Sequence, residues 1–81
     1  MNLEEIRTEI DALDKKLLAL FERRMNLCRD VALYKKEHNL PVFQPEREEK
    51  LLDKIEQAAS PDRKHAARTL FSVILDISKQ L

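Results

Sequence analysis

The sequence predicts an all-α fold of three helices (long, short and medium) in a single domain spanning residues 1–81. Three observations carry that prediction. The chain contains no glycine and only three prolines, which leaves little for the turns of an all-β fold. Its alphabet is that of helix formers, rich in Leu, Lys, Glu, Arg, Ala and Ile. Apolar residues also recur at helical spacing along most of its length. The missing glycine excludes Walker and dinucleotide fingerprints as well, because a phosphate-cradling loop needs it for tight turns and close backbone approach.

The first helix is expected over residues 3–38, a stretch without a breaker. Steps of four and three trace Ile6, Ile10, Leu13, Leu17, Leu20, Arg24, Leu27, Val31 and Tyr34. This is a heptad seam, and Leu3, Leu18, Phe21, Cys28 and Ala32 widen its apolar face. Asn39-Leu40-Pro41 ends it, since a residue before proline avoids the helical region. Residues 41–45 read as an extended connector with Phe43 as a lid over it. Pro45 suits the first position of a second helix, with Glu46 in its first turn. That helix carries Leu51, Leu52, Ile55, Ala58 and Ala59 on its apolar face. Ser60-Pro61-Asp62 offers an N-cap, a first-turn proline and an acidic residue to the third helix. Its apolar line is Ala67, Leu70, Ile74, Ile77 and Leu81, with Phe71 and Val73 beside it.

Length then bears on assembly. A helix of roughly 36 residues spans about 54 Å, whereas a compact domain of this size measures about 30 Å across. The first helix overhangs any monomeric globule and leaves much of its apolar stripe in water. A second copy, with long helices paired and short ones wrapped around them, removes that stripe from solvent, so an interlocked homodimer is expected. The alternative is a small helical hairpin with the first helix broken near Asn26.

Charged residues make up 37% of the chain, 15 basic and 15 acidic, for a net charge of zero. That balance argues against nucleic-acid or anionic-membrane binding, which favours a basic excess. Cys28 is the single cysteine; it cannot form an internal disulfide, nor anchor zinc with only His38 and His65 for company. A reducing, cytoplasmic setting follows. No apolar run approaches membrane-spanning length, and the polar N-terminus is not a signal peptide.

The seam breaks at Arg24, where the repeat demands an apolar residue while Leu20 and Leu27 keep the register. A buried guanidinium calls for a counter-charge. Lys35 lies 11 residues on, turned by only about 20° and about 16 Å along the axis, so both cations point the same way. Two such side chains can close on a small molecule between them. Arg7, 17 residues before Arg24, faces about 100° away and reaches such a site only from a symmetry-related copy. On the second helix, Glu48 falls in the apolar line with Arg47 beside it; on the third, Ser78 sits at the edge of the apolar face. These residues form either a ligand site or a salt-bridge network that fixes dimer register. Lys15, Lys16, Arg23, Lys36, Lys50 and Arg63 read as solvated faces, His38 and His65 as surface residues near helix ends, and Cys28 and Tyr34 as core filling.

Several segments carry a resemblance: L-E-E-I-R at residues 3–7, I-D-A-L-D at 10–14, E-R-R at 22–24, V-A-L-Y-K at 31–35 and P-V-F-Q-P-E-R-E at 41–48. In this order and at these separations the sequence resembles the all-helical chorismate mutases, including those fused to prephenate dehydratase. The resemblance implies the interlocked three-helix dimer and rearrangement of chorismate to prephenate. It implies that Arg24 and the partner's Arg7 hold the two carboxylates of chorismate. Lys35 reaches the ether oxygen and a carboxylate, and Glu48 accepts from the ring hydroxyl. Gln44 helps at that end, with Arg47 and Ser78 as supporting polar contacts. The reaction is unimolecular and pericyclic, so neither cofactor nor metal is expected. Position 44 is often Asp in the family, so Gln44 keeps the hydrogen bonding without the charge. The family also places Gln or Glu four residues after the serine; here Gln80 comes two after Ser78 and points about 200° away, so binding is expected to survive better than rate. An isochorismate pyruvate lyase on the same scaffold and a non-catalytic helical dimerisation or regulatory domain are the alternative readings.

Overall fold

A computed structural model describes residues 1–41 and 44–80. Helix α1 runs Leu3–Glu37, α2 runs Pro45–Ala58, a 3₁₀ turn covers Pro61–Arg63, and α3 runs Lys64–Ser78. Among the described residues there is no strand, and no helix is long and apolar enough to cross a membrane. The connector residues Val42 and Phe43, including the expected lid, and the final apolar position Leu81 lie outside the described residues.

Each boundary has a local cause. The Asn2 side chain accepts from the Glu5 backbone N–H at 2.9 Å, an N-cap that satisfies one of the orphan donors of the first turn. Glu4 and Glu5 in that turn, and Lys35 and Lys36 in the last, complement the helix dipole. At the other end the Leu40 N–H reaches back to the Lys35 carbonyl at 2.8 Å and the Asn39 N–H to that of Lys36 at 3.4 Å. Asn39 takes φ 55° to make this reversal. It is a Schellman ending with asparagine where a glycine-free chain has no glycine to offer. Pro45 opens α2 at its first position, where its missing N–H costs nothing. Ser60 precedes Pro61 as expected, but its side chain caps nothing, and the chain passes through the 3₁₀ turn before α3 begins at Lys64.

Helix α1 is continuous through Asn26, 35 residues long, which rules out the broken-helix alternative within this chain. It sets the 55 Å long dimension of a molecule only 26 × 16 Å across. Helices α2 and α3 form an antiparallel hairpin: Glu48 in the first turn of α2 meets Lys79 at the end of α3. Leu51, Leu52 and Ile55 of α2 and Phe71, Ile74 and Ile77 of α3 are half-buried. This hairpin rests on the C-terminal half of α1, and the only buried residues among those described are Met25 and Leu75, each 8% exposed. Residues 1–20 are exposed throughout. Seam positions Ile6, Ile10, Leu13, Leu17, Leu20, Leu27 and Val31 all remain open to solvent. Tyr34, expected in a core, is likewise exposed and stacks on His38 with ring centroids 4.0 Å apart.

A charged clamp binds α3 to α2. Glu49, Asp53 and Glu56 recur along one side of α2, and Arg68 of α3 pairs with Glu49, with Asp53 at 3.2 Å and with Glu56 at 3.2 Å. Glu49 first, then Asp53 and Glu56, hold the guanidinium above its ordinary pKa against the opposing effect of desolvation. The carboxylates are largely in water, so their attraction is open to screening by salt. Replacing Arg68 with Met is expected to lower the melting temperature, and the deficit should shrink in about 1 M salt, where the screening length falls to about 3 Å. A salt-independent deficit, measured by circular dichroism, would mean that the arginine stem acts by packing instead.

A cationic cleft between three helices

Positions 24, 27, 28, 31, 32 and 35 share one face of α1 because they recur at steps of three and four. In the structure that face looks onto the first turn of α2 and the last turn of α3. Arg24, Cys28, Ala32 and Lys35 of α1 enclose a cleft of about 440 Å³ with Gln44, which precedes α2, Arg47 and Glu48 of α2, Leu75 and Ser78 of α3, and Lys79, which follows α3, Leu27 and Val31 completing its apolar wall. A more open depression of about 480 Å³ adjoins it over the start of α2, and Gln44 and Arg47 line both.

The cleft concentrates charge that the composition conceals. Four cations (Arg24, Lys35, Arg47 and Lys79) face one carboxylate, Glu48, a formal excess of three positive charges in a chain of net charge zero. The first turn of α2 adds the positive end of a helix dipole. A low-dielectric wall beside such a cluster strengthens its attraction for anions.

Ser78 organises one end. Its hydroxyl donates to the Ile74 carbonyl one turn back at 2.8 Å, leaving the oxygen to accept from Arg24 Nη1 at 3.3 Å. Cys28 Sγ lies 3.6 Å from both Arg24 Nη1 and the Ser78 Oγ. These contacts hold the guanidinium against the wall with neutral partners only. Among the described residues no carboxylate pairs with Arg24, and the counter-charge that its place in the seam calls for is not among them. The cost is moderated because Arg24 is half-buried, not buried. Glu48 is committed elsewhere: its Oε1 lies 2.8 Å from Lys79 Nζ.

The structure thus brings together six of the expected site residues: Arg24, Lys35, Gln44, Arg47, Glu48 and Ser78. It does not bring Arg7 to them; that residue is exposed on the N-terminal half of α1, about 25 Å along the axis from Arg24. Sequence reasoning missed Lys79, and it assigned Cys28 to the core when it lines the cleft. A carboxylate in an apolar line signals a nearby cation, but only the hairpin geometry identifies which one. Lys15, Lys16, Arg23, Lys36, Lys50, Arg63, His38 and His65 are exposed as expected. Among the described residues no group of His, Cys, Asp and Glu is placed to hold a metal ion.

Fold and cleft together define a small all-helical protein with a cationic cleft between its three helices. Residues 6–81 match the family described as chorismate mutase type II, and the chain belongs to that family. It is 32% identical over 81 positions to the chorismate mutase of Methanocaldococcus jannaschii, covering 98% of this chain and 82% of that one. It is 46% identical over 46 residues to the T-protein of Haemophilus influenzae, 57% of this chain but 12% of the longer protein. It is also 44% identical over 45 residues to the 4-amino-4-deoxychorismate mutase of Streptomyces venezuelae, covering 56% and 44% of the two chains. No solved structure matches.

A ligand that binds only the folded chain raises its stability by mass action, by about 2.7 kcal/mol at a hundredfold excess over its Kd. A rigid dicarboxylate of about chorismate's size is therefore expected to raise the melting temperature. Arg24→Ala should abolish most of that shift, and an equal shift in the variant would place the anion site elsewhere.

Proposed function

We propose that this chain rearranges chorismate to prephenate in the cationic cleft, as an interlocked homodimer in which each site receives Arg7 of the partner subunit. The observation that carries the reading is the cluster of Arg24, Lys35 and Arg47 around Glu48 and Gln44, drawn from two helices onto one cleft. Family membership supports the reaction, and the exposed apolar stripe of α1 supports the dimer.

The rearrangement breaks one C–O bond and forms one C–C bond within a single molecule, so it calls for no nucleophile and no proton transfer. Catalysis then consists of restraining a flexible dianion in a chair-like reactive shape and stabilising the charge that develops on the ether oxygen. Arginine suits the first task, because its planar fork grips a carboxylate through two parallel hydrogen bonds. Arg24 holds one carboxylate and Arg7 of the partner subunit the other. Lys35, a point charge on a flexible stem, answers the ether oxygen as the C–O bond lengthens. Glu48 accepts from the ring hydroxyl, Gln44 and Arg47 support that end, and Ser78 steadies Arg24. Such an isomerase, with one unpaired cysteine, works in the cytoplasm.

The direct test is conversion of chorismate by the purified chain with products separated. Prephenate is the expected product; pyruvate released from isochorismate instead would make it a lyase. Arg24→Ala and Lys35→Ala should each lose about 2.7–4 kcal/mol of transition-state stabilisation, or roughly 10²–10³ in kcat, while circular dichroism remains helical. An unfolded Arg24→Ala would assign that residue to dimer register. Leu13→Asp is expected to convert the dimer to monomer in sedimentation, since a carboxylate there would be desolvated without a partner. A dimer unchanged by it would place the interface off this stripe.

A further inference from the structure

We propose that Lys79 sets the preference of the site for a neutral ring hydroxyl over a ring ammonium, acting through its ion pair with Glu48. The inference rests on the reading above, in which Glu48 accepts from that hydroxyl.

Lys79 caps the C-terminal end of α3, where its backbone N–H bonds the Ile77 and Leu75 carbonyls. Its cation therefore stands at the negative end of the helix dipole. Nζ lies 2.8 Å from Glu48 Oε1 and 3.8 Å from Asp76 Oδ1, the Asp76 side chain being 73% exposed on the water side. Glu48 is the less exposed partner, 21% against 42% for Lys79. The charge is thus built into the protein by two helix ends.

A lone carboxylate discriminates in favour of a cation, since an ionised donor makes a shorter and roughly twice stronger hydrogen bond than a neutral one. An alkyl ammonium at the ring would exploit that, being protonated at neutral pH as a lysine is. With Lys79 on Oε1 the balance changes. The second oxygen of Glu48 still accepts from a hydroxyl, but the carboxylate charge is already offset. An ammonium placed there meets a second ammonium within about 5 Å, a repulsion worth more than tenfold in binding at the dielectric of a partly buried site. Arg24, Lys35 and Arg47 also repel a cation; Arg24 and Lys35 serve a carboxylate and the ether oxygen of the substrate, while Arg47 supports the hydroxyl end beside Glu48 and is present in every variant compared. Lys79 is the cation 2.8 Å from Glu48 Oε1, so its removal changes the charge at the carboxylate that accepts from the hydroxyl. The family contains proteins named for each substituent, a chorismate mutase and a 4-amino-4-deoxychorismate mutase, so the scaffold accommodates either and something in the individual site selects.

The test compares kcat/KM for chorismate and for 4-amino-4-deoxychorismate in the wild-type chain, Lys79→Met, Lys79→Gln and Lys79→Arg. Wild type is expected to prefer chorismate, and both neutral variants to shift the ratio toward the amine by about tenfold or more. Lys79→Arg should keep the wild-type ratio, because it restores the charge. A purely structural role lowers both values in parallel and leaves the ratio fixed, which would overturn the proposal. Chorismate turnover by wild type with an unchanged ratio in the variants defeats the role of Lys79 alone; no turnover of either substrate by wild type defeats the mutase reading and this inference with it.

Discussion

An apolar stripe, broken by a charge at Arg24, on a helix twice as long as the rest of the chain is wide governs this molecule. Helix α1 extends through 35 residues and sets a 55 Å axis, while the α2–α3 hairpin reaches only its C-terminal half. Burial of apolar surface is the main favourable term in folding, at about 25 cal/mol per Å², and a single chain collects little of it: among the described residues two are buried and the hairpin's apolar side chains are half-buried, against the conformational entropy of ordering the chain. Leu13, Leu17 and Leu20, each more than half exposed, mark where the missing burial lies. In the proposed dimer a second α1 supplies it, so folding, assembly and completion of the site become one event.

The same helix carries the site. Its hairpin-facing side holds Arg24 and Lys35 about three turns apart along one face, and the two helix ends that meet there bring different groups. The start of α2 offers Gln44, Arg47 and Glu48 with the positive end of its dipole, while the end of α3 offers Ser78 and Lys79. Cations gathered in this way repel one another, and the structure limits that cost by leaving them half-solvated and by pairing Glu48 with Lys79. In the proposed reaction a bound dianion relieves the remaining repulsion, so binding energy and electrostatic relief act in the same direction. Ser78 and Cys28 keep Arg24 in place beforehand, which reduces the ordering cost of binding.

Much of this was legible in the sequence because it depends on local rules. Pro45 at the first position of α2, the end of α1 ahead of Pro41, and a seam interrupted only at Arg24 are all consequences of one-dimensional spacing. The cleft-lining set of Arg24, Lys35, Glu48 and Ser78 could be read for the same reason, since each departs from an apolar line at a defined register. Lys79 escaped because it lies past the last helical residue, where periodicity no longer says which way a side chain points. Cys28 looked like core because its helical face is apolar, and whether that face meets a core or a cleft depends on where the hairpin docks. The sequence calls for a counter-charge at Arg24 without naming one, and the antiparallel hairpin gives the nearby Glu48 to Lys79. The Arg68 clamp depends on that pairing of helices too, and no spacing within α2 or α3 alone foretells it.

In the proposed dimer each site is finished by a residue from the second copy. Subunit complementation tests it most directly. Arg7→Ala and Lys35→Ala chains, each inactive alone, are refolded together in equal amounts and assayed for prephenate formation. Half the dimers are then mixed, and each mixed dimer holds one site with its own Lys35 and an intact Arg7 of the partner subunit, so about one quarter of wild-type activity is predicted. Mixed dimers, verified by mass, that stay as inactive as the separate variants would contradict the account.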